Sequence, residues 1–85
     1  MLRISQTPAV KLTTINLEGK LLSPWIDEVR TAITSAQAQG AVRVNLSGLS
    51  YVDPLGAELL RSMRQDGINL VGVSGFISGL LEQPR

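Results

Sequence analysis

The order of apolar and polar positions along the first part of the chain favours extended structure. Residues 2–17 are rich in Val, Ile and Thr, and this run is interrupted at Thr7 and Pro8. β-Branched residues favour strands, and a Pro between two such runs favours a turn. The pattern predicts a β-hairpin with its turn at Thr7 and Pro8 and with its second strand ending at Gly19.

A helical pattern follows the hairpin. Ser23 offers a side-chain oxygen for a helix N-cap, and Pro24 suits the first helical position. Apolar residues then recur at a spacing of about 3.6, which is typical of one buried helix face. These residues are Ile26, Val29, Ile33 and Ala36. With Gly40 as a left-handed residue at its C-terminal end, the pattern predicts a helix over residues 24–39.

The chain then repeats the order of strand and helix. Residues 41–46 have the apolar alternation of a strand, and Ser47-Gly48 after them is typical of a turn. A strand that follows a helix needs a crossover, so we expect it to pair in parallel with an earlier strand. Asp53 can cap a second helix that starts at Pro54 and ends at Gly67. The expected buried stripe of this helix consists of Leu55, Leu59, Leu60 and Met63.

One more strand and a short helix complete the pattern. Residues 68–73 are largely aliphatic, which is typical of a strand covered on both faces. Ser74 and Gly75 then open a short amphipathic helix, which we expect to fray at residues 83–85. The residues expected to point inward are Phe76, Ile77, Leu80 and Leu81.

These elements together predict an α/β fold of order ββαβαβα. The expected architecture is a single mixed four-stranded sheet with two longer helices and a short C-terminal helix. Neither a repeat nor a linker interrupts the pattern, and a chain of 85 residues has material for one core. We therefore expect residues 1–85 to form a single domain.

Composition narrows the range of functions. With a net charge of +1 and no run of basic residues, the chain has no electrostatic footprint for nucleic acid. It contains neither Cys nor His, so it lacks the usual ligands of transition metals and the usual catalytic proton shuttle. Its apolar runs are far shorter than the roughly 20 residues of a membrane-spanning helix. We expect a cytoplasmic protein that inserts into no membrane, binds no cofactor or metal and is not an enzyme.

Several short motifs occur in an order known from one protein family. Residues 17–21 match an early Leu-x-Gly-x-Leu segment, and Asn45-Leu46-Ser47 matches a later Asp-Leu-Ser type segment. Tyr51-Val52 matches the hydrophobic pair that precedes an Asp-Ser-x-Gly loop, which here is residues 53–56 with the sequence Asp-Pro-Leu-Gly. In these motifs the chain resembles the STAS domain, named for sulfate transporters and anti-sigma factor antagonists. The resemblance covers almost the whole chain and indicates a small stand-alone bacterial member.

Two departures from the family pattern bear on mechanism. The position of the serine that some members phosphorylate is Pro54, which has no hydroxyl. In those members the phosphate adds negative charge at a helix N-terminus and switches the partner. This chain cannot use that switch at residue 54, although Ser47 and Ser50 lie nearby in sequence. The second departure is a short C-terminus.

The resemblance implies a surface that binds another protein at the start of the second helix. The candidate residues are Asp53, Pro54, Leu55, Gly56, Glu58, Arg61 and Ser62. The partner it implies is an anti-sigma factor or kinase-like protein, or a component of a transport system. Structural roles compete with this interpretation: Asp53 is expected mainly as a cap, Gly56 as a close-packing residue and Trp25 as a cover over the end of the core.

Three alternatives stay open. Some relatives in the family handle small molecules or lipids, which would require a pocket between the sheet and the helices. The Gly-x-Ser-Gly segment at residues 72–75 precedes a helix start, whose N–H groups favour anions such as phosphate. An unpaired edge of the hairpin could also pair two copies of the chain into a homodimer.

Overall fold

Strands and helices follow one another in the order that the sequence pattern predicts. The structure, a computed structural model, describes residues 2–82. The strands are β1 (Leu2–Ala9), β2 (Leu12–Leu21), β3 (Ala41–Val52) and β4 (Asn69–Val71). The helices are a short 3₁₀ helix (Ser23–Trp25), α1 (Ile26–Gln37), α2 (Pro54–Gln65) and α3 (Gly75–Glu82). The predicted order ββαβαβα is confirmed for the described residues.

The strands form one mixed sheet in which spatial order follows sequence order, β1-β2-β3-β4. β1 and β2 form the antiparallel hairpin, from Leu2 opposite Gly19 to Ala9 opposite Leu12. β2 pairs in parallel with β3, and β3 pairs in parallel with β4. Helical crossovers connect both parallel pairs, as expected for strands that run in the same direction. The predicted α/β class with a four-stranded mixed sheet is confirmed.

The hydrophobic core lies between one face of the sheet and the helices. Ile15 and Leu17 are fully buried, whereas Asn16 between them is half-buried on the other face. The helices contribute apolar residues at the predicted spacing, such as Val29 and Leu60, which are also fully buried. α1 contacts β2 and β3, and α2 contacts β3 together with both other α-helices. One continuous cluster of apolar side chains therefore joins the sheet to the helices.

Side-chain hydrogen bonds connect the strands on the opposite, polar face of the sheet. The Asn45 amide donates to Asn16 Oδ1 at 3.2 Å, and the Asn16 amide donates to Thr7 Oγ1 at 3.1 Å. Arg43 donates to Thr14 Oγ1 at 3.2 Å. These bonds run across β3, β2 and β1, so this face supports the strand register without apolar packing.

The hairpin turn is formed by Val10 and Lys11, so the prediction of a turn at Thr7 and Pro8 is wrong. β1 is an edge strand, and such a strand tolerates Pro8 because its missing N–H can face away from the neighbouring strand. Lys11 adopts a φ of 71°, which is uncommon for a residue other than Gly. Because neither Val nor Lys is a typical turn residue, composition gives no signal for this turn.

β2 and β3 are longer than predicted. β2 continues past Gly19, and β3 continues through Ser47 and Gly48, where a turn was expected. The two strands shift register near these residues. Gly48 pairs with Glu18, and a Cβ atom at Gly48 would lie 2.7 Å from the Glu18 side chain and 3.2 Å from the Leu17 carbonyl oxygen, so Gly eases the close approach of β3 to β2. Both the strand end at Gly19 and the turn at Ser47-Gly48 are therefore wrong.

The first helix also starts differently. Residues 23–25 form the 3₁₀ helix, and α1 covers residues 26–37 rather than the predicted 24–39. The Ser23 hydroxyl does not cap this start, because no side-chain hydrogen bond caps the 3₁₀ helix or α1. The predicted N-cap at Ser23 is wrong, whereas Gly40 follows the helix with a φ of 144° as expected.

Two residues predicted to point inward are exposed, since Leu55 is 53% exposed and Phe76 is 47% exposed. The last strand, Asn69–Val71, is also shorter than the predicted 68–73, and it is not covered on both faces, because Asn69 is exposed and Leu70 and Val71 are only half-buried. The other members of the two predicted helical stripes are buried or half-buried: Leu59, Leu60, Met63, Ile77, Leu80 and Leu81. The fraying predicted at residues 83–85 lies outside the described residues.

Candidate protein-binding site

Asp53 fixes the start of α2 and also the start of the first helical segment. Its Oδ1 accepts a hydrogen bond of 2.7 Å from the Gly56 N–H, which is the predicted N-cap of α2. Its Oδ2 accepts a hydrogen bond of 2.7 Å from the Ser23 N–H, where the 3₁₀ helix begins. The Asp53 N–H itself donates to the Leu21 carbonyl at 3.1 Å. One carboxylate therefore sets the position of two helix starts at the ends of β2 and β3.

Gly56 lets α2 start directly on the sheet. A Cβ atom at this position would lie 2.8 Å from the Leu21 carbonyl oxygen and 3.0 Å from Val52 Cγ1. Real Cβ atoms do not approach a backbone oxygen so closely, so only Gly fits without movement of the strand. The close-packing role predicted for Gly56 agrees with this geometry.

Exposed apolar side chains surround this rigid start. Pro54 is exposed in the first turn of α2, next to Leu55 at 53% exposure. Tyr51 is 49% exposed at the end of β3. Its exposure was not predicted, and strand alternation gives no signal for it, because the buried Leu49 would place Tyr51 inward and only the register shift between β2 and β3 turns it outward.

Glu58 lies on the ridge between two open grooves of α2. One groove, about 330 Å³, lies between α1 and α2 and is lined by residues that include Ile26, Leu55 and Ser62. The other, about 420 Å³, lies on the side of α3 and is lined by residues that include Tyr51 and Pro54. Glu58 lines both grooves. Five of the predicted site residues therefore form one surface with two grooves, which we call the α2 surface: Pro54, Leu55, Glu58, Arg61 and Ser62.

Arg61 has a structural task that the sequence did not indicate. Its guanidinium donates to the Leu80 carbonyl at 2.7 Å, and Arg64 donates to the Leu81 carbonyl at 3.0 Å. The last carbonyls of a helix lack partners within the helix, and a guanidinium satisfies them well. The two arginines of α2 therefore hold the C-terminal end of α3, and Arg61 is only partly available at the α2 surface.

The Gly-x-Ser-Gly segment is occupied by contacts within the chain. The Ser74 hydroxyl accepts a hydrogen bond from the Ile77 N–H at 3.4 Å, so it serves the start of α3. A Cβ atom at Gly72 would lie 2.6 Å from Asn45 Oδ1 and 2.8 Å from the Ser47 backbone N. Gly72 is thus needed for close packing on the polar face of β3, and these contacts explain both residues without a phosphate.

Two structural features of residues 2–82 bear on other functions. The described part of the chain contains no group of three or more acidic, Cys or His residues that could hold a metal ion. Among its helices, none is both long and apolar enough to cross a membrane.

The strand order, the mixed pairing and the capped start of α2 define the class of fold. It is the STAS fold of anti-sigma factor antagonist structures, as the sequence motifs predict. The chain is similar to a STAS-domain anti-sigma factor antagonist from Rhodobacter sphaeroides, with a TM-score of 0.65 and 16% identity over 84% of this chain and 86% of that chain. It is also similar to the anti-sigma factor antagonist SpoIIAA in its unphosphorylated form, with a TM-score of 0.58 and 22% identity over 78% of this chain and 62% of that chain.

A third similar structure shows that this fold also occurs as part of a larger chain. The structure of Mglu matches with a TM-score of 0.62 and 20% identity over 78% of this chain, but over only 18% of that chain. No family model and no curated protein sequence matches this chain. The comparisons therefore establish the fold.

Proposed function

We propose that this protein is a non-catalytic interaction module that resembles an anti-sigma factor antagonist and binds another protein through the α2 surface. The observation that carries the proposal is the exposure of Leu55, which is 53% exposed beside Pro54 and close in sequence to the half-exposed Tyr51. Exposed apolar and aromatic side chains that are held rigidly are typical anchors of protein interfaces. The grooves on either side give a partner's side chains a place to enter.

The rigidity of this surface supports the proposal. Because Asp53 caps α2 and is bonded to Ser23, and because Gly56 seats the helix on Leu21 and Val52, the first turn of α2 has little freedom. A surface that is already ordered loses less conformational entropy when a partner binds. The apolar side chains of this turn are therefore presented in a fixed arrangement.

Pro54 supports constitutive binding as opposed to a phosphorylation switch. Its ring occupies the first turn of α2, and it has no hydroxyl that could accept a phosphate. The negative charge that alters partner choice in phosphorylated relatives cannot be added at this residue. We propose a regulator whose α2 surface stays in one state, with an anti-sigma factor or kinase-like protein as the partner class and a transport component as the alternative.

The packing of the interior favours a protein partner over a small molecule or lipid. Ile15, Leu17, Leu60 and Ile77 are fully buried between the sheet and the helices. In the described part of the chain, aliphatic side chains thus fill the space that a ligand-sensing domain would need to keep open.

Site-specific photo-crosslinking tests the proposal directly. A photoreactive phenylalanine analogue placed at residue 55 is expected to crosslink the chain to a partner protein in its own cell, and mass spectrometry would identify that partner. The matched control is residue 10, because Val10 is 90% exposed at the hairpin turn, at the opposite end of β2 from Asp53. Residue 55 is expected to crosslink at least one protein that residue 10 does not.

Two outcomes would contradict the proposal. One is the same set of crosslinked proteins from residues 55 and 10, which would mean non-specific contact with exposed apolar side chains. The other is the absence of any crosslink from residue 55 in cells where the chain is folded and expressed. Arg61 is unsuitable for this test, since its substitution would also release the end of α3.

A further inference from the structure

The outer edge of β1 is an unpaired strand edge with a groove beside it. β1 is eight residues long and stands at the end of the sheet, with β2 as its only neighbour among the described residues. Its charged residue is Arg3, and Pro8 lies near its C-terminal end. Natural edge strands are usually shortened, charged or covered to prevent strand pairing. With one charge and one Pro over eight residues, this edge is weakly protected against pairing with another strand.

Pro8 indicates which backbone groups face outward. A proline within a strand is accommodated where its missing N–H would point away from the neighbouring strand. Hydrogen-bonding direction alternates with a period of two along an antiparallel strand. Ile4 and Gln6 share the parity of Pro8, so their N–H and C=O groups face the open edge.

The same two residues line the groove between β1 and α1. This groove has a volume of about 540 Å³, with Ile4 and Gln6 on one side and Ala32 on the other. A strand added to β1 would therefore meet backbone partners at residues 4 and 6, and every second side chain of that strand would enter the groove.

The charge of the groove specifies the occupant. Asp27 and Glu28 in the first turn of α1 both line it and are both exposed, and no basic residue among the described ones lines it. Within residues 2–82, neither carboxylate makes a hydrogen bond or an ion pair. A second copy of β1 would bring Leu2, Ile4, Gln6 and Pro8 to this side, none of which carries the matching positive charge.

We propose that the free edge of β1 is a second protein-binding site, which takes an extended segment of a partner protein by strand addition. The segment alternates apolar and basic side chains, and a Lys or Arg of the segment lies against Asp27 and Glu28. Main-chain hydrogen bonds to residues 4 and 6 supply affinity, and the acidic groove supplies charge preference. This site is separate from the α2 surface and does not depend on the function proposed for it.

The test is a nuclear magnetic resonance titration of the full chain with two synthetic octapeptides. Both alternate Val or Thr with a charged residue, which is Lys in one peptide and Glu in the other. The peptide concentration is raised to about 1 mM, so that binding with a Kd as weak as about 1 mM is detected. The Lys peptide is expected to shift amide resonances in residues 2–9 and 27–35. The Glu peptide is expected to bind at least about tenfold more weakly, because it meets like charge.

Two sets of variants separate the roles of charge and backbone. Asp27→Asn with Glu28→Gln removes the charges with little effect on folding and is expected to reduce the preference for the Lys peptide by about tenfold. The matched control, Asp66→Asn with Glu82→Gln, removes two exposed acidic residues elsewhere and is expected to leave the preference intact.

The backbone is tested at residue 6. Gln6→Pro removes one outward N–H and is expected to weaken the binding of both peptides, whereas Gln6→Val retains that N–H and is expected to retain the binding.

Several results would overturn the proposal. These are equal binding of the two peptides, shifts confined to α2, or no shift in β1 with the Lys peptide at the highest concentration. Concentration-dependent dimerisation of the peptide-free chain with protection of the β1 amides would also overturn it, since a second copy would then occupy the edge.

Discussion

Asp53 combines two structural tasks in one side chain. Each carboxylate oxygen accepts one backbone N–H bond of 2.7 Å, one from Gly56 and one from Ser23. An N-cap hydrogen bond contributes about 1 kcal/mol to the free energy of unfolding. A hydrogen bond to a charged acceptor contributes more than one to a neutral acceptor. The residue that the sequence indicates as a simple cap therefore also fixes where the first helical segment begins.

Substitution of Asp53 should cost more than the loss of one cap. We expect Asp53→Ala to lower the free energy of unfolding by about 2–3 kcal/mol, because both N–H groups lose their acceptor. Asp53→Asn should lower the free energy of unfolding by roughly half of that amount, because the single side-chain oxygen of Asn accepts a well-aligned hydrogen bond from only one of the two N–H groups. Urea denaturation measures both values. An effect of Asp53→Ala no larger than that of Asp27→Ala, at an exposed position of α1, would refute the double role.

Two glycines in helices offer a matched pair for the packing argument. Gly56→Ala should destabilise the fold by about 1–3 kcal/mol, because the new methyl group meets the Leu21 carbonyl. Gly79→Ala in α3 should stabilise it by about 0.5–1 kcal/mol, because nothing lies within 4 Å and Ala favours the helix. Thermal denaturation of both variants is the check. The same sign of effect at both positions would contradict the account of Gly56.

At the scale of elements, the start of α2 could be predicted from sequence and the hairpin turn could not. Asp53 and Pro54 carry local chemistry that specifies a helix start on its own. The turn at Val10 and Lys11 has no such chemistry, and Pro8 misleads because an edge strand tolerates it. The continuation of β3 through Gly48 depends on its pairing with Glu18 of the neighbouring strand, which only the tertiary fold brings close.

The candidate site shows the same division between local and tertiary information. The cap at Asp53 follows from residues within one turn, whereas the bond from Ser23 to Asp53 joins positions 30 residues apart in sequence. The bonds from Arg61 and Arg64 to α3 equally depend on packing between elements. Exposure of Leu55 was missed because its spacing fits the apolar stripe of α2, although the adjoining groove leaves it open.

The two arginines of α2 support the docking of α3, whose Ile77 and Leu81 are also buried in the core. We expect Arg61→Met with Arg64→Met to remove both guanidinium bonds and to lower stability by about 1–3 kcal/mol. Hydrogen exchange should accelerate most in α3, with little change in α1. Arg30→Met in α1 is the control, since Arg30 is exposed and removal of its charge leaves α3 untouched. Equal acceleration throughout the chain would contradict this local role.

For the whole molecule, the sheet separates two exposed apolar positions that differ in their expected function. Leu55 lies beside the end of β3 on a rigid, grooved surface, whereas Val10 lies in the hairpin turn at the start of β2. Because the strands between them are long, a substitution at one of these two positions is expected to leave the structure around the other unchanged. Val10 therefore serves as a control for Leu55: an effect of substitution at residue 55 that is absent at residue 10 reflects binding and not a general loss of folding.

The most direct measurement of the central claim is the apparent size of the tagged chain in extracts of its own cell, compared for the native sequence, Leu55→Asp and Val10→Asp. All three are expected to have similar thermal stability, because both substituted side chains are exposed. The account predicts that the native chain and Val10→Asp elute in a complex larger than the 9.1 kDa chain, and that Leu55→Asp elutes at a smaller apparent size than both because the partner of the α2 surface is lost. A folded Leu55→Asp variant that stays in the complex, or a native chain that elutes alone, would contradict it.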